Sequence, residues 1–148
     1  MNWDYIAGFF DGEGTLVGRR KGFRIAITQT NKKVLEGIKK FSKIGHICDI
    51  TKRKIHWKDS WVYFVAKQSD VYLFLKKVEP KLIVKRELTG KAVRALRVYL
   101  KTEKRKKLIL ETKIKEAKNL RNKGLAYREI GKRLSIDFGY ARRLIKFR

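Results

Sequence analysis

The chain has 148 residues, enough for one domain and a small appendage, and 43% of them are hydrophobic, so it can bury a core. One proline and eleven glycines are too few for a low-complexity chain. The longest apolar runs are shorter than a membrane span, the N-terminus does not resemble a signal peptide, and the single cysteine, Cys48, excludes an intrachain disulfide. These features predict an intracellular protein, of the cytoplasm, the nucleoid or an organelle, without membrane association.

The formal net charge is +25, because 39 Lys and Arg residues are opposed by only 14 acidic residues. Residues 1–18 hold three acids and no base, whereas residues 101–148 hold 17 bases and five acids. An excess spread over folded segments favours a polyanionic partner, DNA or RNA. A lysine-rich surface of a heat-adapted protein and an anionic membrane surface are the less favoured explanations.

Hydrophobic periodicity and capping residues predict an α+β domain over residues 1–100. Residues 3–11 are typical of a helix capped by Asn2, and residues 14–20 and 23–29 alternate like a hairpin. The pattern continues with a helix, a second hairpin and two further helices, at 31–44, at 46–54 with 60–67, at 70–78 (with Asp70 as its cap) and at 82–100. This order predicts an αββαββα core whose antiparallel, saddle-shaped sheet has one apolar face under helices and one polar, basic face.

The remaining residues predict an all-helical extension. A basic helix over 108–122 is expected to fill most of a linker at 101–118, after the charge-dense stretch "KTEKRKK" at 101–107. Residues 119–148 then form a helix-turn-helix-like, DNA-binding extension.

The helix-turn-helix prediction uses residues 127–134 as first helix and 138–146 as recognition helix. The match is incomplete, because Gly131 lies where such motifs favour alanine and Ser135 where they favour glycine. In a DNA-reading extension Arg142, Arg143 and Lys146 would lie on the exposed face. The alternative is a basic tail that only packs on its own domain.

The stretch "YIAGFFDGEG" breaks several local rules. Its helix is apolar nearly all round, which predicts burial on more than the side that faces its own sheet. Gly8 and Gly12 are four residues apart, a spacing that lets two backbones approach closely. Asp11 and Glu13 lie at the C-terminal end of the helix, where the helix dipole disfavours carboxylates and a divalent cation would remove the penalty.

These residues resemble a known family. "IAGFFDGEG" (6–14) resembles the signature motif of the LAGLIDADG homing endonucleases, and "ITQTNKKVLEGIKKFSKIG" (27–45) and "PKLIVKRE" (80–87) resemble later family segments in the same order. The resemblance does not cover the tail beyond about residue 100. It implies that the motif helices of two copies pack against each other. Because the chain carries one motif and no internal repeat, a symmetric homodimer is expected. The expected interface residues are Tyr5, Ile6, Ala7, Gly8, Phe9 and Gly12.

The resemblance also implies a metal site at the end of the motif. Glu13 would bind Mg²⁺, with Mn²⁺ as a substitute, and the carbonyl oxygen of Gly12 would be a further ligand. Asp11 is the less favoured ligand and is expected instead to end the helix by hydrogen bonding. Two Glu13 carboxylates near a dyad would repel each other without a metal ion between them.

Three further residues receive catalytic roles from the resemblance. Gln29 would orient the attacking water, Lys85 would stabilise charge in the transition state, and Lys33 would be a second basic residue of the pocket. From the residues alone, Gln29 is equally explained as a cap of the following helix, and both lysines as ordinary solvated side chains.

DNA recognition is expected from the polar face of the sheet. The candidate contacts on these strands are Arg19, Lys21, Arg24, Thr28, Lys52 and Lys54. The last two are weaker candidates, because Ile47 and Ile50 predict opposite faces for their strand.

The expected function is an intron-encoded, Mg²⁺-dependent homing endonuclease that cleaves both strands of a long pseudo-palindromic double-stranded DNA target as a homodimer. One alternative is a transcription regulator with a LAGLIDADG-like core and a helix-turn-helix; such regulators lack the metal-binding acid that Glu13 supplies here. The other is an RNA-splicing maturase, with host intron RNA as partner.

Overall fold

The computed structural model describes residues 1–19, 22–52, 54 and 56–146. It divides into two compact units, Met1–Leu100 and Lys101–Arg148. Within the described residues, no helix combines the length and the apolar character needed to cross a membrane.

The first unit is an α+β domain with helices on one face of a four-stranded antiparallel sheet. The strands are ordered β1-β2-β4-β3 across the sheet. The elements in chain order are α1 (Trp3–Glu13), β1 (Gly14–Arg19), β2 (Gly22–Gln29), α2 (Lys32–Ser42), β3 (His46–Ile50), β4 (Ser60–Val65), α3 (Gln68–Val78), a 3-10 helix (Glu79–Lys81) and α4 (Arg86–Asn122). The α+β prediction and the αββαββα order are confirmed.

Side-chain caps fix the start of two helices as expected. The Asn2 side chain accepts a hydrogen bond from the Tyr5 N–H at 2.9 Å, and Asn31 accepts one from the Lys33 N–H at 3.1 Å. The expected cap of α3 is wrong, because this helix begins at Gln68 and has no side-chain cap. Asp70 lies in its first turn.

The register of the sheet separates a buried face from an open one. Ile25 and Ile27 of β2 and Tyr63 and Val65 of β4 lie on the buried face under the helices. Ile47 pairs with Tyr63, which assigns the strand whose register the sequence leaves open. The core that these strands form with the helices is completed by Ile6, Ala7, Phe10, Leu35, Ile38, Val71, Phe74, Leu75, Val78, Leu82, Ala92 and Leu96.

Helix α4 is one continuous helix from Arg86 to Asn122, where the sequence predicts two. The stretch 101–107 does not interrupt it, because Lys, Arg and Glu are good helix formers. Ion pairs one turn apart add to this, with Glu103–Lys106 at 3.0 Å and Lys107–Glu111 at 3.7 Å.

The second unit packs the end of α4 against two short helices, α5 (Tyr127–Leu134) and α6 (Phe138–Lys146). Its hydrophobic core consists of the buried residues Ala117, Ile130, Ala141 and Leu144. The helical C-terminal part is therefore confirmed.

The turn between α5 and α6 explains why Gly131 and Ser135 depart from the residues that helix-turn-helix motifs favour at these positions. Ser135 has φ 50° and ψ 46°, the left-handed conformation for which glycine is usual. Gly131 is buried, and a Cβ atom there would lie 2.8 Å from the Ile136 carbonyl oxygen. Position 131 therefore requires glycine, because the backbones of α5 and the turn meet there. Position 135 accepts serine in the left-handed conformation.

Candidate functional site

The C-terminal end of α1 presents a free carboxylate. Glu13 is the exposed last residue of the helix, and no hydrogen bond or ion pair engages its side chain within the described part of the chain. Gly14 follows and is buried; a Cβ atom there would lie 2.1 Å from the Phe10 ring. The absence of a side chain at position 14 lets the chain pass directly from the helix into β1 beneath Glu13.

Asp11 binds a distant segment of the same unit. Its carboxylate accepts hydrogen bonds from three consecutive backbone N–H groups, those of Ile83 (2.8 Å), Val84 (2.9 Å) and Lys85 (2.8 Å). Burial raises the pKa of Asp11, but the three N–H groups and the nearby Lys85 ammonium outweigh this and hold the pKa below its usual value.

This arrangement corrects the expectation for Asp11. The helix continues for two residues beyond it, so Asp11 does not end α1. Both of its carboxylate oxygens accept N–H groups, which leaves Glu13 to offer a carboxylate to a ligand. Asp11 therefore links the motif helix to the segment that precedes α4.

Lys85 is held against the last turn of α1 at two points. Its backbone N–H donates to the Asp11 carboxylate, and its Nζ donates to the Asp11 carbonyl oxygen. The Lys85 ammonium group therefore contacts the peptide unit that joins Asp11 to Gly12. Glu13 follows Asp11 by two residues. The interpretation of Lys85 as an ordinary solvated lysine is wrong, since its side chain is half-buried and bonded.

Gln29 lies at the same end of the sheet as Glu13. Gly14 pairs with Ile27, and Gln29 follows two residues later at the end of β2. Its Oε1 accepts the Thr30 N–H at 2.9 Å, while Asn31 caps α2, so the interpretation of Gln29 as that cap is wrong.

Lys33 lies in the first turn of α2, and its side chain is exposed. The structure therefore brings Glu13, Gln29 and Lys85 to one region at the end of α1, with Lys33 at the start of the helix that follows Gln29.

One protomer offers few metal ligands. Among the described residues, no three His, Cys, Asp or Glu side chains converge. The donors present are the Glu13 carboxylate and the Gly12 carbonyl, which lies in the last turn, where helix carbonyls have no intrahelical donor. Two hard oxygen donors, completed by water and phosphate oxygens, fit Mg²⁺ better than a softer metal.

The outward face of α1 is apolar and open. Tyr5 is 48% exposed, and its ring stacks on that of Phe9 with centroids 6.0 Å apart. A Cβ atom at Gly8 or Gly12 would have no atom of this chain within 4 Å. Nothing in the described protomer therefore requires glycine at these two positions.

The expectation that Ile6 and Ala7 lie at a dimer interface is wrong. Both are fully buried in the core of their own unit, next to Phe10. A helix advances by about 100° per residue, so these residues share the sheet-facing side while Tyr5, Gly8 and Gly12 point away from it.

The open face of the sheet carries part of the expected basic set. Arg19 and Thr28 are exposed, and the Arg24 guanidinium lies 5.2 Å from the centre of the Phe64 ring. Phe64 and Val62 make this face less polar than predicted. Lys21 lies outside the described residues.

The two candidates near the second hairpin lie in its loop. β3 ends at Ile50, so the expected strand is four residues too long, and Lys52 and Lys54 follow it. Lys52 pairs with Asp59 at 2.9 Å, and Lys54 is exposed. In the second unit, Arg142, Arg143 and Lys146 are exposed on α6.

Sequence reasoning missed an apolar pair beside the site. Ile83 and Val84 are 88% and 80% exposed, although their N–H groups are held by Asp11. The available signal was two adjacent branched apolar residues inside the basic stretch "PKLIVKRE".

Comparison with known proteins agrees with this architecture. A family profile described as LAGLIDADG-like domain matches residues 3–79. The fold is similar to that of the homing endonuclease I-CvuI in complex with its target in the presence of calcium, with a TM-score of 0.52, 19% identity, and coverage of 68% of this chain and 69% of that one. It is also similar to the LAGLIDADG meganuclease I-AabMI bound to uncleaved DNA, with a TM-score of 0.54, 21% identity, and coverage of 79% and 44%.

Similarity extends to I-CvuI in complex with the I-CreI target in the presence of magnesium, with a TM-score of 0.50, 20% identity, and coverage of 64% of this chain and 65% of that one. The chain thus spans less than two thirds of some of the structures it resembles, and at these identities the likeness concerns the fold alone. No curated protein sequence matches the chain. Because the family profile covers more than half of the 148 residues, the chain belongs to the LAGLIDADG family.

Proposed function

We propose that the chain is a homodimeric, Mg²⁺-dependent endonuclease of the homing type, which cleaves both strands of a long pseudo-palindromic DNA target and is encoded within an intron. The observation that carries this proposal is the exposed Glu13 carboxylate, which has no partner among the described residues, at the end of an open apolar helix face. An uncompensated acid at the negative end of a helix is unfavourable, and a bound divalent cation reverses that effect.

The outward face of α1 supports the proposed homodimer. Gly8 and Gly12 leave room for a second backbone, and Tyr5 and Phe9 supply apolar area beside them. An isologous contact through this face would bring two copies of Glu13 close to the twofold axis. The exposed Ile83 and Val84 would extend the same interface beyond α1.

The residues near the C-terminal end of α1 would have separate roles in phosphodiester hydrolysis. Glu13 and the Gly12 carbonyl would hold Mg²⁺, which acidifies bound water and neutralises charge on the phosphate. Gln29 would orient the attacking water through its side-chain amide. Lys85, held against the Asp11 carbonyl, would place its ammonium group beside the reacting phosphate.

The open face of the sheet supports DNA as the substrate. Arg19 and Arg24 lie on this face with Thr28, and none of the outward positions of the paired strands is acidic. Bidentate contacts of arginine with guanine are the commonest specific base contacts in a major groove.

The Glu13→Gln variant tests the catalytic assignment. We expect the wild-type protein to linearise a plasmid that carries the intron-less insertion site in Mg²⁺ and not in EDTA. Glu13→Gln should cut at least roughly 10²-fold more slowly yet bind the same duplex. Glu36→Gln, an exposed change of the same type on α2, should cut like wild type. Binding without cleavage by the wild-type protein in every divalent cation would instead favour a regulator or a maturase.

A further inference from the structure

The second unit presents a basic helix face that its own packing does not use. α6 buries Ala141 and Leu144 in the core of this unit. Its other side carries Phe138, Arg142 and Lys146, all of them exposed. Side chains four residues apart lie above one another on a helix, so these three form a single stripe along α6.

The acids of this helix pair are turned toward their own backbone. The Glu129 carboxylate accepts the Ala126 N–H at 2.7 Å, and Asp137 accepts the N–H groups of Gly139 (2.8 Å) and Tyr140 (3.2 Å). By contrast, none of the ion pairs among the described residues engages α5 or α6. The charge of the stripe is therefore available to a polyanion.

The joint between the helices is tight. Only residues 135–137 separate α5 from α6, and Gly131 approaches the turn at a distance that a Cβ atom would not allow. A shallow groove at this joint is lined by Arg128 and Lys132 of α5 and by Phe138 of α6. Basic residues on the first helix suit the phosphates on either side of a groove that the second helix enters.

Phe138 indicates contact with bases as well as phosphates. This side chain is 56% exposed at the start of α6, the part of a recognition helix that reaches base edges. An exposed aromatic ring gains nothing from a phosphate but can pack on the methyl group of thymine. The groove that admits a helix is the major groove of B-form DNA, whereas that of duplex RNA is too narrow.

We infer that α6 enters the major groove of duplex DNA and reads sequence there, with Phe138 on a thymine methyl group, Arg142 on a guanine, and Lys146 with the α5 cations on phosphates. This adds a second block of specified bases to those read by the sheet. The inference rests on the proposed function for its DNA substrate but does not require cleavage.

The test is a selection from random-sequence DNA duplexes with the full chain, carried out in EDTA so that cleavage plays no part. The Arg142→Gln/Lys146→Gln variant should lose preference for one subset of the bases that the wild type specifies. Its affinity for the wild-type consensus should fall by about 5- to 150-fold, the range for one lost bidentate contact. Phe138→Ala should lose a thymine within the same subset.

The control is Lys39→Gln/Lys40→Gln, which removes the same charge from exposed positions on the helix side of the sheet in the first unit. It should retain every preference. Unchanged base preferences in the α6 variants, or displacement of the consensus duplex by duplex RNA at equal concentration, would overturn the inference. If the subset is lost but Mg²⁺ never triggers cleavage, the inference stands and the proposed function fails.

Discussion

Replacement of Asp11 by alanine tests the link between the motif helix and the segment before α4. In the wild type, one carboxylate satisfies the N–H groups of Ile83, Val84 and Lys85 and lies beside the Lys85 ammonium. The variant removes all three acceptor contacts at once. It also releases the backbone anchor that holds Lys85 against α1.

The expected cost follows from the number and exposure of these bonds. A typical intramolecular hydrogen bond contributes about 0.5–1.5 kcal/mol, and one to a charged group contributes more. Water can replace part of the loss at Ile83 and Val84, whose side chains are exposed. We therefore expect Asp11→Ala to lower the free energy of unfolding by about 2 kcal/mol, and Asp11→Asn, which keeps one acceptor, by about half as much.

Urea unfolding as a function of pH measures this contribution. Because the folded-state pKa of Asp11 is lowered, its stabilisation is present above the unfolded value near pH 4 and is lost as the pH falls through the folded pKa. The difference between wild type and Asp11→Asn should therefore be constant at neutral pH and shrink in acid. Glu36→Gln corrects for the general effect of one charge removed from a basic protein.

Two outcomes would refute this account of Asp11. One is an Asp11→Ala variant that is as stable as Glu36→Gln at pH 7. The other is a difference between wild type and Asp11→Asn that stays constant at the lowest pH at which both variants fold.

Two further predictions use the glycines. Gly8→Leu should yield a folded monomer by light scattering because position 8 is open within the protomer, whereas Gly14→Ala should unfold at much lower urea because its Cβ would meet Phe10; a Gly8→Leu dimer would contradict the proposed interface. In the second unit, Ser135→Gly should raise the midpoint of thermal unfolding by relieving a left-handed serine, and Gly131→Ala should lower it through the 2.8 Å contact with the Ile136 carbonyl oxygen. A lower midpoint for Ser135→Gly, or an unchanged or higher midpoint for Gly131→Ala, would mean that the turn is not the tight joint described here.

Local periodicity was enough to predict most elements. The alternation in residues 23–29 predicted a strand of a sheet with one apolar face under helices, and Ile25 and Ile27 of this strand are buried. The boundaries failed where local signals compete: Asp70 resembled a cap but follows the start of α3, and a charged stretch resembled a break but continues α4. A capping residue and a helix-favouring charged stretch are both signals from neighbouring residues. The sequence alone therefore did not show which signal decides where a helix begins or ends.

The candidate site was only partly accessible from the sequence. The motif drew attention to Glu13 and Asp11, but their spacing did not distinguish the free acid from the bonded one. That distinction depends on Ile83, 72 residues beyond Asp11. Similarly, the apolar character of α1 did not show which residues its own core takes and which it leaves open.

The sequence by itself determined the order of helices and strands, the signature motif and the basic character, because each is a property of neighbouring residues or of composition. Only the tertiary structure decided that Ile6 and Ala7 serve their own core while Gly8 and Gly12 stay open. It also decided that Asp11 is bonded while Glu13 has no bonded partner in the described part of the chain. The physical reason is the sequence separation of the residues that interact. Periods of 3.6 and 2 residues assign side chains to faces, whereas the partner of each face is chosen by the packing of segments far apart in the chain.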